Sequence, residues 1–279
     1  MVHEKAVLLP VTDLIRPERH LFVSPHYDDI ALSAGGTAAQ VHKMGKTPEV
    51  AIVFGAEPPP GHVFTQFAAN MHEGWGMAAG EVIASRRAEE AAAAAVLGTV
   101  PSFLPFHDAI YRGERYLGDP ALFCEVRADE ATLASDIIGA LRLGDSEKDS
   151  TRVYFPLAIG WHVDHQVAFQ AGIELDRAGW EVWFYEDLPY ALKPGIMEDR
   201  IERAGVPLEI AARVPVEETW DAKIDAIMAY PSQLATIFNY VGAGSSRAEI
   251  ESLLRRYAEA AGDGVPVERY WRFGDVKAT

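Results

Sequence analysis

Short apolar runs alternate along the chain with longer stretches in which apolar residues recur every three or four positions. The short runs predict buried strands at residues 20–24, 48–55, 102–106, 151–156 and 181–185. The longer stretches predict helices at residues 30–44, 82–97, 129–143, 163–178, 220–230 and 248–261. Strands that alternate with helices are typical of a largely parallel sheet covered on both faces. The predicted fold class is therefore α/β, with a Rossmann-like, twisted sheet.

The chain shows no linker, internal repeat or low-complexity stretch that would divide it. We therefore predict a single domain over residues 1–279, with a core at about residues 18–240 and a C-terminal helix and tail at residues 241–279. Residues 57–80 interrupt the pattern with three prolines, four glycines and three aromatic residues. This segment is predicted to be irregular, and it is long enough to be a binding loop or a lid that closes over a ligand.

The composition of the chain argues against several classes of function. The formal charge of −16 makes nucleic acid an unfavourable partner, because a phosphate backbone needs a basic surface. One cysteine cannot form an internal disulfide or a thiolate zinc site. No apolar run approaches the roughly 18–20 residues of a membrane span, and residues 1–5 do not begin a signal peptide. These features predict a soluble, cytoplasmic protein, and a homo-oligomer is compatible with them.

Ligands of doubly wound sheets bind beyond the C-terminal ends of the strands. The first predicted strand ends at such a place with His26, Asp28 and Asp29, just before a helix. Adjacent carboxylates beside a histidine repel each other unless a cation offsets their charge, and histidine and aspartate are common metal ligands. The alternative, equally open for this cluster alone, is that one aspartate only caps the helix.

A second cluster follows the strand at residues 151–156 and also opens a helix. It contains His162, Asp164 and His165, and the two histidines are three residues apart, so they lie on neighbouring parts of one helix face. The alternative is an ordinary histidine pair with Asp164 as a helix cap. Both clusters lie at the same edge of one predicted sheet, and this coincidence favours a shared site.

His26, Asp29 and His165 together supply two imidazoles and one carboxylate for a divalent metal. Three protein ligands and an open position are typical of catalytic zinc, and the same set suits non-haem Fe²⁺. Asp28 would then be free to act as a general base on water. His162 could stabilise an oxyanion or assist a leaving amine, and Asp164 could orient an imidazole from behind. This combination predicts hydrolysis of an amide.

The chain resembles the LmbE-like (PIG-L) family of zinc-dependent N-deacetylases. The resemblance rests first on Pro25-His26-Tyr27-Asp28-Asp29 with Gly35-Gly36 and on His162-Val163-Asp164-His165. It is supported by Arg86-Arg87-Ala88-Glu89 with Leu97-Gly98, by Asp108, and by Ala229-Tyr230-Pro231-Ser232-Gln233.

The resemblance implies a zinc-dependent hydrolase that removes an acetyl or related acyl group from an N-acylated amino sugar, foremost an N-acetylglucosaminyl compound. It implies His26, Asp29 and His165 as metal ligands, Asp28 as the general base, and His162 as the residue that stabilises the oxyanion and assists the leaving amine. It also implies that Arg86 and Asp108 contact the sugar. Simpler alternatives are a surface pair between Arg86 and Glu89 and a turn at Asp108.

The chain departs from the family pattern at three positions. Tyr27 and Ile30 stand where members commonly have proline and glutamate, and Tyr230 stands where many have histidine. These departures leave the substrate open. An amidase acting on a thiol conjugate and a natural-product deacylase are alternatives within the family.

Two alternatives lie outside catalysis: a nucleotide-binding Rossmann-like module that uses Gly35-Gly36, and a sugar-binding protein without activity. The G-x-G-x-x-G spacing of nucleotide sites is missing, and two adjacent aspartates would repel a phosphate. A pure binding protein would have no need of a base such as Asp28.

Overall fold

In a computed structural model of the chain, which describes residues 7–78, 80–204 and 207–274, one sheet carries every labelled strand. The strands are β1 (Arg19–Ser24), β2 (Glu49–Ile52), β3 (Val100–Phe103), β4 (Thr151–Pro156), β5 (Glu181–Tyr185), β6 (Leu208–Pro215) and β7 (Val267–Phe273). Their order across the sheet is β3-β2-β1-β4-β5-β7-β6. The five strands from β3 to β5 run parallel, and β7 pairs antiparallel with both β5 and β6.

Most of the helices lie in the connections between these strands. They are α1 (Val11–Leu14), α2 (Asp29–Lys43), α3 (Gln66–Gly74), α4 (Val82–Leu97), α5 (Asp119–Leu122), α6 (Leu133–Leu141), α7 (Val163–Arg177), α8 (Ile196–Arg203), α9 (Trp220–Met228), α10 (Leu234–Asn239) and α11 (Arg247–Ala261). Short 3₁₀ turns lie at Ala109–Tyr111, Gly113–Arg115, Ala128–Glu130, Asp145–Ser150, Tyr190–Leu192 and Glu217–Thr219. Helices α2, α4 and α9 pack against one another, and α6 packs against α7, which covers β4 and β5.

Central strands are continuous apolar runs because both of their faces are covered. β4 is buried along its whole length, and β1 is buried from His20 onward. Phe22 and Tyr154 face each other in the register of these two strands, and their rings stack with centroids 4.1 Å apart. Burial on both faces explains why these strands were predictable as unbroken apolar runs.

Helix α2 lies close to the C-terminal part of the chain at Gly36. A Cβ atom at this position would lie 2.7 Å from Val216. The Gly36 amide donates to the Glu268 carboxylate at 2.9 Å. The paired glycines therefore serve helix packing, and an acidic side chain occupies the place where a phosphate would have to bind. This contact argues against the nucleotide-binding alternative.

The structure confirms the α/β class and the largely parallel sheet, and it corrects several elements. Strands β6 and β7 were not predicted, and β3 begins and ends earlier than the predicted strand at residues 102–106. The segment at residues 57–80 is not wholly irregular, because it contains α3, which begins where the Thr65 side chain accepts a hydrogen bond from the Ala68 amide.

Strand β7 lies between β5 and β6, so the segment predicted as a C-terminal helix and tail contributes to the sheet. The predicted boundary between a core and a C-terminal part at about residue 240 stays a prediction. The prediction that there is no signal peptide rests on residues 1–5, which lie outside the described part of the chain. Residues 275–279 of the tail lie outside it as well. None of the helices in the described part is both long enough and apolar enough to cross a membrane.

Candidate active site

The C-terminal ends of several parallel strands bring both histidine clusters into one cavity. His26, Asp28 and Asp29 follow β1, His162 and His165 follow β4, and all of these except His165 line the cavity. The other lining residues of the described chain are Leu32, Met71, Trp75, Arg86, Asp108, Ile110, Leu122, Leu188, Pro189, Tyr190, Gln233 and Ile237. The two clusters therefore lie together at one edge of the sheet, as the sequence predicted.

The two aspartates of the first cluster are not helix caps. Asp28 occupies the N-cap position of α2, but its side chain makes no capping hydrogen bond. Its Oδ2 instead accepts a hydrogen bond from Nη2 of Arg86 at 3.3 Å. The Asp29 carboxylate turns back and accepts the backbone amide of His26 at 2.7 Å. The capping alternative from the sequence is thus wrong for both residues.

His26 lies between carboxylates on either side of its ring. Nδ1 is 3.6 Å from Asp29 Oδ2, and Nε2 is 3.0 Å from Asp164 Oδ2. Asp108 Oδ2 lies 3.7 Å from the same Nε2. Burial lowers the pKa of His26, but these three carboxylates outweigh burial and raise it to about 9. The surroundings of His26 therefore favour a cation.

His165 has a matching arrangement. Its Nδ1 lies 2.6 Å from Asp187 Oδ1, and its Nε2 lies 3.5 Å from Asp29 Oδ2. Nε2 is buried and has no hydrogen-bond partner in the described part of the chain. The other Asp187 oxygen accepts the Ile159 amide at 3.0 Å. Asp187 thereby fixes both the imidazole and the loop that follows β4.

The residues fit a divalent metal bound by His26 Nδ1, Asp29 Oδ2 and His165 Nε2. One donor atom from each of these three residues lies within 4.8 Å of the other two, and Asp29 Oδ2 is 3.6 Å from His26 Nδ1 and 3.5 Å from His165 Nε2. Ligands roughly 2.1 Å from a tetrahedral ion are separated by about 3.4 Å, close to the two distances measured from Asp29. A cation would also satisfy the unpartnered Nε2. Each imidazole already places its other nitrogen against a carboxylate, the usual arrangement behind metal-bound histidine.

A second group could also hold a metal, namely His26, His162 and Asp164. Its geometry is less suitable, because Asp164 is already engaged. Asp164 Oδ1 forms an ion pair with Nη1 of Arg112 at 2.7 Å, and Oδ2 accepts the Ala109 amide at 3.1 Å. Burial raises the pKa of Asp164, but Arg112 and the hydrogen bond with His26 hold it far below its ordinary value.

His162 begins α7 and caps it with its own ring. The Asp164 amide donates to Nδ1 of His162 at 3.2 Å. Because Nδ1 accepts this hydrogen bond, the neutral ring carries its proton on Nε2. Burial also lowers the pKa of His162 well below its ordinary value. His162 is thus arranged as a neutral hydrogen-bond donor, and the alternative that Asp164 caps the helix is wrong.

Arg86 and Asp108, expected to contact a sugar, both line the cavity. Arg86 is 5% exposed, so the alternative of a surface pair with Glu89 is wrong. Glu89 instead accepts hydrogen bonds from the amide and hydroxyl of Ser232. Asp108 does cap a turn, since its Oδ1 accepts the Ile110 amide at 3.1 Å, while Oδ2 faces His26. Asp108 therefore both caps a turn and lines the cavity.

Sequence reasoning missed Asp187 and Arg112. Asp187 lies two residues beyond β5, and its position at a strand end on the active edge was the available signal. Arg112 lies far from both motifs, and no pattern in the sequence pointed to its ion pair with Asp164. In the segment at residues 57–80, Met71 and Trp75 line the cavity, and whether this segment closes over a ligand stays a prediction.

Known proteins resemble this chain in sequence and in fold. The PIG-L family model, described as GlcNAc-PI de-N-acetylase, matches residues 21–175. A 2'-N-acetylparomamine deacetylase of Niallia circulans is 34% identical over 188 residues, which are 61% of this chain and 66% of that protein, just under two thirds of its length. A 2'-N-acetylparomamine deacetylase of Streptomyces fradiae is 30% identical over 223 residues, which are 78% of this chain and 75% of that protein.

Among solved structures, the zinc-inhibited form of teicoplanin deacetylase Orf2 is 27% identical to this chain. The similarity covers 93% of this chain and all of that one, with a TM-score of 0.73. The fold and the site define an α/β protein with a candidate metal-binding site at the C-terminal ends of its parallel strands. The chain belongs to the PIG-L family of N-deacetylases, as the sequence motifs predicted.

Proposed function

We propose that this protein is a zinc-dependent deacetylase acting on an N-acetylglucosaminyl compound of natural-product biosynthesis, of the 2'-N-acetylparomamine type. The observation that carries the proposal is the buried donor set of His26, Asp29 and His165 beside Asp28 and His162. The two paromamine-type relatives support the substrate class. The metal, when bound, would supply a Lewis acid that polarises the acyl oxygen and lowers the pKa of water.

Asp28 is proposed to take the proton of the attacking water. Its ion pair with Arg86 fixes the carboxylate at the wall of the cavity, where a water beside the donor set would lie. Arg86 is itself held over the Tyr27 ring, 5.0 Å from its centroid, and over the Trp75 ring, 5.5 Å from its centroid. The base is thereby oriented before substrate binds.

His162 is proposed to donate from Nε2 to the oxygen on which negative charge develops. Its Nδ1 is occupied by the Asp164 amide, so the ring stays neutral and acts by hydrogen bonding. A neutral imidazole is a weak acid, and the proton that the leaving amine needs therefore comes back from Asp28. Arg86 and Asp108 would contact the sugar hydroxyls at the same wall.

Acetate release from 2'-N-acetylparomamine by zinc-loaded protein tests the proposal. We expect turnover by the wild-type enzyme and a loss of about 10²–10⁴-fold in kcat for Asp28→Asn, the usual contribution of a general base. Metal content measured on the same samples should be equal. Asp145→Asn, at an exposed residue on the far side of the chain, is the matched control. No acetate release with zinc bound, or full activity of Asp28→Asn, would refute the proposal.

A further inference from the structure

A cavity separate from the active site is lined by residues of α6, α7 and α8. Its volume is 430 Å³, within the roughly 300–1,000 Å³ of ligand pockets. Among the described residues, it shares no lining residue with the active-site cavity. Helix α6 contributes Ala134, α7 contributes Val167 and Phe169, and α8 contributes Arg200. This cavity, which we call the α8 cavity, is therefore large enough for a ligand of its own.

Arg200 is a buried cation in the lining of the α8 cavity, and it is 2% exposed. Its Nε donates a hydrogen bond to the Leu157 carbonyl oxygen, which fixes the guanidinium. Both Nη atoms are buried and have no hydrogen-bond partner in the described part of the chain. Burial of a charged group without partners is unfavourable, so the guanidinium has an unmet need for an acceptor.

Two aromatic rings pack near the guanidinium without replacing an anion. Cζ of Arg200 lies 4.1 Å from the centroid of the Phe169 ring and 5.3 Å from that of the Trp161 ring. A ring face attracts the cation, but only a carboxylate accepts two parallel N–H bonds from it. Burial lowers the pKa of Arg200 to about 10, although Asp187 acts to raise it. An anion in the α8 cavity would offset the cost of this burial.

The other charged side chains of the lining already have partners. These ion pairs are Glu125 with Arg203, Glu130 with Arg112, and Arg127 with Asp129. The described lining contains three arginines and two glutamates, which leaves one positive charge. The rest of the lining is mostly apolar, with four alanines, two valines, one isoleucine, one phenylalanine and one tryptophan beside two glutamines. A single negative charge on an apolar body matches this lining.

We propose that the α8 cavity binds a small organic monocarboxylate with an apolar body. The carboxylate accepts an N–H from each Nη of Arg200, and the apolar body packs against Val167 and Phe169. Both Nη atoms are enclosed, so the carboxylate reaches them by displacing the half-buried Trp161 ring, whose indole N–H donates to the exposed Glu125 at 3.2 Å. This site does not depend on the proposed deacetylase chemistry.

Titration calorimetry of the zinc-loaded protein with phenylbutyrate tests the proposal. We expect one phenylbutyrate per chain. Phenylbutyramide, which has the same shape without the charge, should bind at least about tenfold more weakly, because it cannot form two charge-assisted hydrogen bonds. Arg200→Gln should weaken phenylbutyrate binding by at least about tenfold for the same reason. Arg177→Gln, at an exposed arginine in the last turn of α7, is the matched control and should bind as the wild-type protein does.

A second variant keeps the test decisive if Arg200→Gln does not fold, which thermal melting shows. Ala131 lines the α8 cavity at an exposed position, so Ala131→Trp fills the cavity and leaves every contact of Arg200 in place. We expect it to weaken phenylbutyrate binding by at least about tenfold. No binding of phenylbutyrate to the wild-type protein, or equal affinity for phenylbutyramide, would overturn the proposal. Binding that Arg200→Gln or Ala131→Trp leaves unchanged would place the carboxylate elsewhere, such as at the zinc, and would overturn it too.

Discussion

His26 and His165 share one pattern: one ring nitrogen faces Asp29, and the other faces a carboxylate. For His165 that carboxylate is Asp187, and for His26 it is Asp164. Such carboxylates fix the tautomer and the orientation of the ring and strengthen it as a ligand. The sequence located both histidines and Asp29, but not Asp187, because Asp187 belongs to neither motif and reaches His165 only once β4 and β5 are paired.

Asp187→Asn should weaken zinc binding by roughly 10–100-fold, the usual effect of removing such a partner. Competition with a chromophoric chelator measures the affinity. Asp225→Asn, at an exposed aspartate of α9, should bind zinc as the wild-type protein does. Equal zinc affinity in Asp187→Asn and the wild-type protein would contradict the proposed binding through His165.

The hydrogen bonds of Tyr230 indicate the protonation state of Glu90. The Tyr230 hydroxyl lies 2.7 Å from the Tyr27 carbonyl and 2.7 Å from Glu90 Oε2. One hydroxyl hydrogen cannot serve both acceptors fully. A protonated Glu90 resolves this, because it donates to Tyr230 while Tyr230 donates to Tyr27. Burial accordingly raises the pKa of Glu90 to about 7. A protonated Glu90 therefore lets the Tyr230 hydroxyl accept one hydrogen bond and donate the other.

A carboxyl whose pKa is raised on folding stabilises the folded state below its unfolded pKa, and this contribution is lost as the pH rises through the folded value. The window for Glu90 runs from its ordinary value of 4.5 to about 7. Glu90→Gln mimics the protonated form and removes this dependence. Between pH 5 and pH 8, its free energy of unfolding should therefore gain roughly 2–3 kcal/mol relative to the wild-type protein.

Urea denaturation at the two pH values measures this difference, with Glu114→Gln at an exposed position as the control. A constant difference between Glu90→Gln and the wild-type protein from pH 5 to pH 8 would mean that Glu90 is ionised in the folded state throughout.

At the scale of elements, α2 connects the turn that carries His26 and Asp28 to the C-terminal part of the sheet. Glu268 of β7 accepts the amides of Gly36 and Thr37 and forms an ion pair with Lys223 of α9. These contacts explain why β7 was not predicted. Its charged residues interrupt the apolar pattern, and they can be buried only because partners distant in sequence neutralise them.

Strand β6 was not predicted for a related reason. It lies at the edge of the sheet and is only partly buried, so it lacks the continuous apolar run of β1 or β4. Helix α3 was not predicted because prolines and glycines flank it. The parallel half of the sheet could be predicted because its strands are short apolar runs, and β1 and β4 are each followed by a helix with its own periodicity. The antiparallel half depends on tertiary pairing.

Gly36→Ala should lower the free energy of unfolding by about 1–3 kcal/mol, because the new methyl group would lie within 2.7 Å of Val216. Gly139→Ala is the matched control. It is the same change in α6, where no atom lies within 4 Å of the added carbon, and it should stabilise the protein by up to about 1 kcal/mol. Denaturant titration of both variants measures the two effects, and equal effects would exclude the close approach at Gly36.

At the scale of the molecule, five of the 41 acidic side chains behind the formal charge of −16 meet where strand ends come together. Asp28, Asp29, Asp108, Asp164 and Asp187 all gather at the active edge of the sheet, and ion pairs to Arg86 and Arg112 offset only part of that charge. A divalent cation would offset most of the rest. The fold class and this edge could be predicted from strand–helix alternation, whereas the strand order and the buried ion pairs depend on packing between distant segments.

The most direct test of a metal held by His26, Asp29 and His165 is a diffraction measurement at the zinc absorption edge on crystals of the zinc-loaded protein. We expect one anomalous peak in contact with His26 Nδ1, Asp29 Oδ2 and His165 Nε2, with Asp187 and Asp164 still against the outer imidazole nitrogens. A peak between His26 Nε2, His162 and Asp164, or no peak at the cavity, would contradict the proposed site.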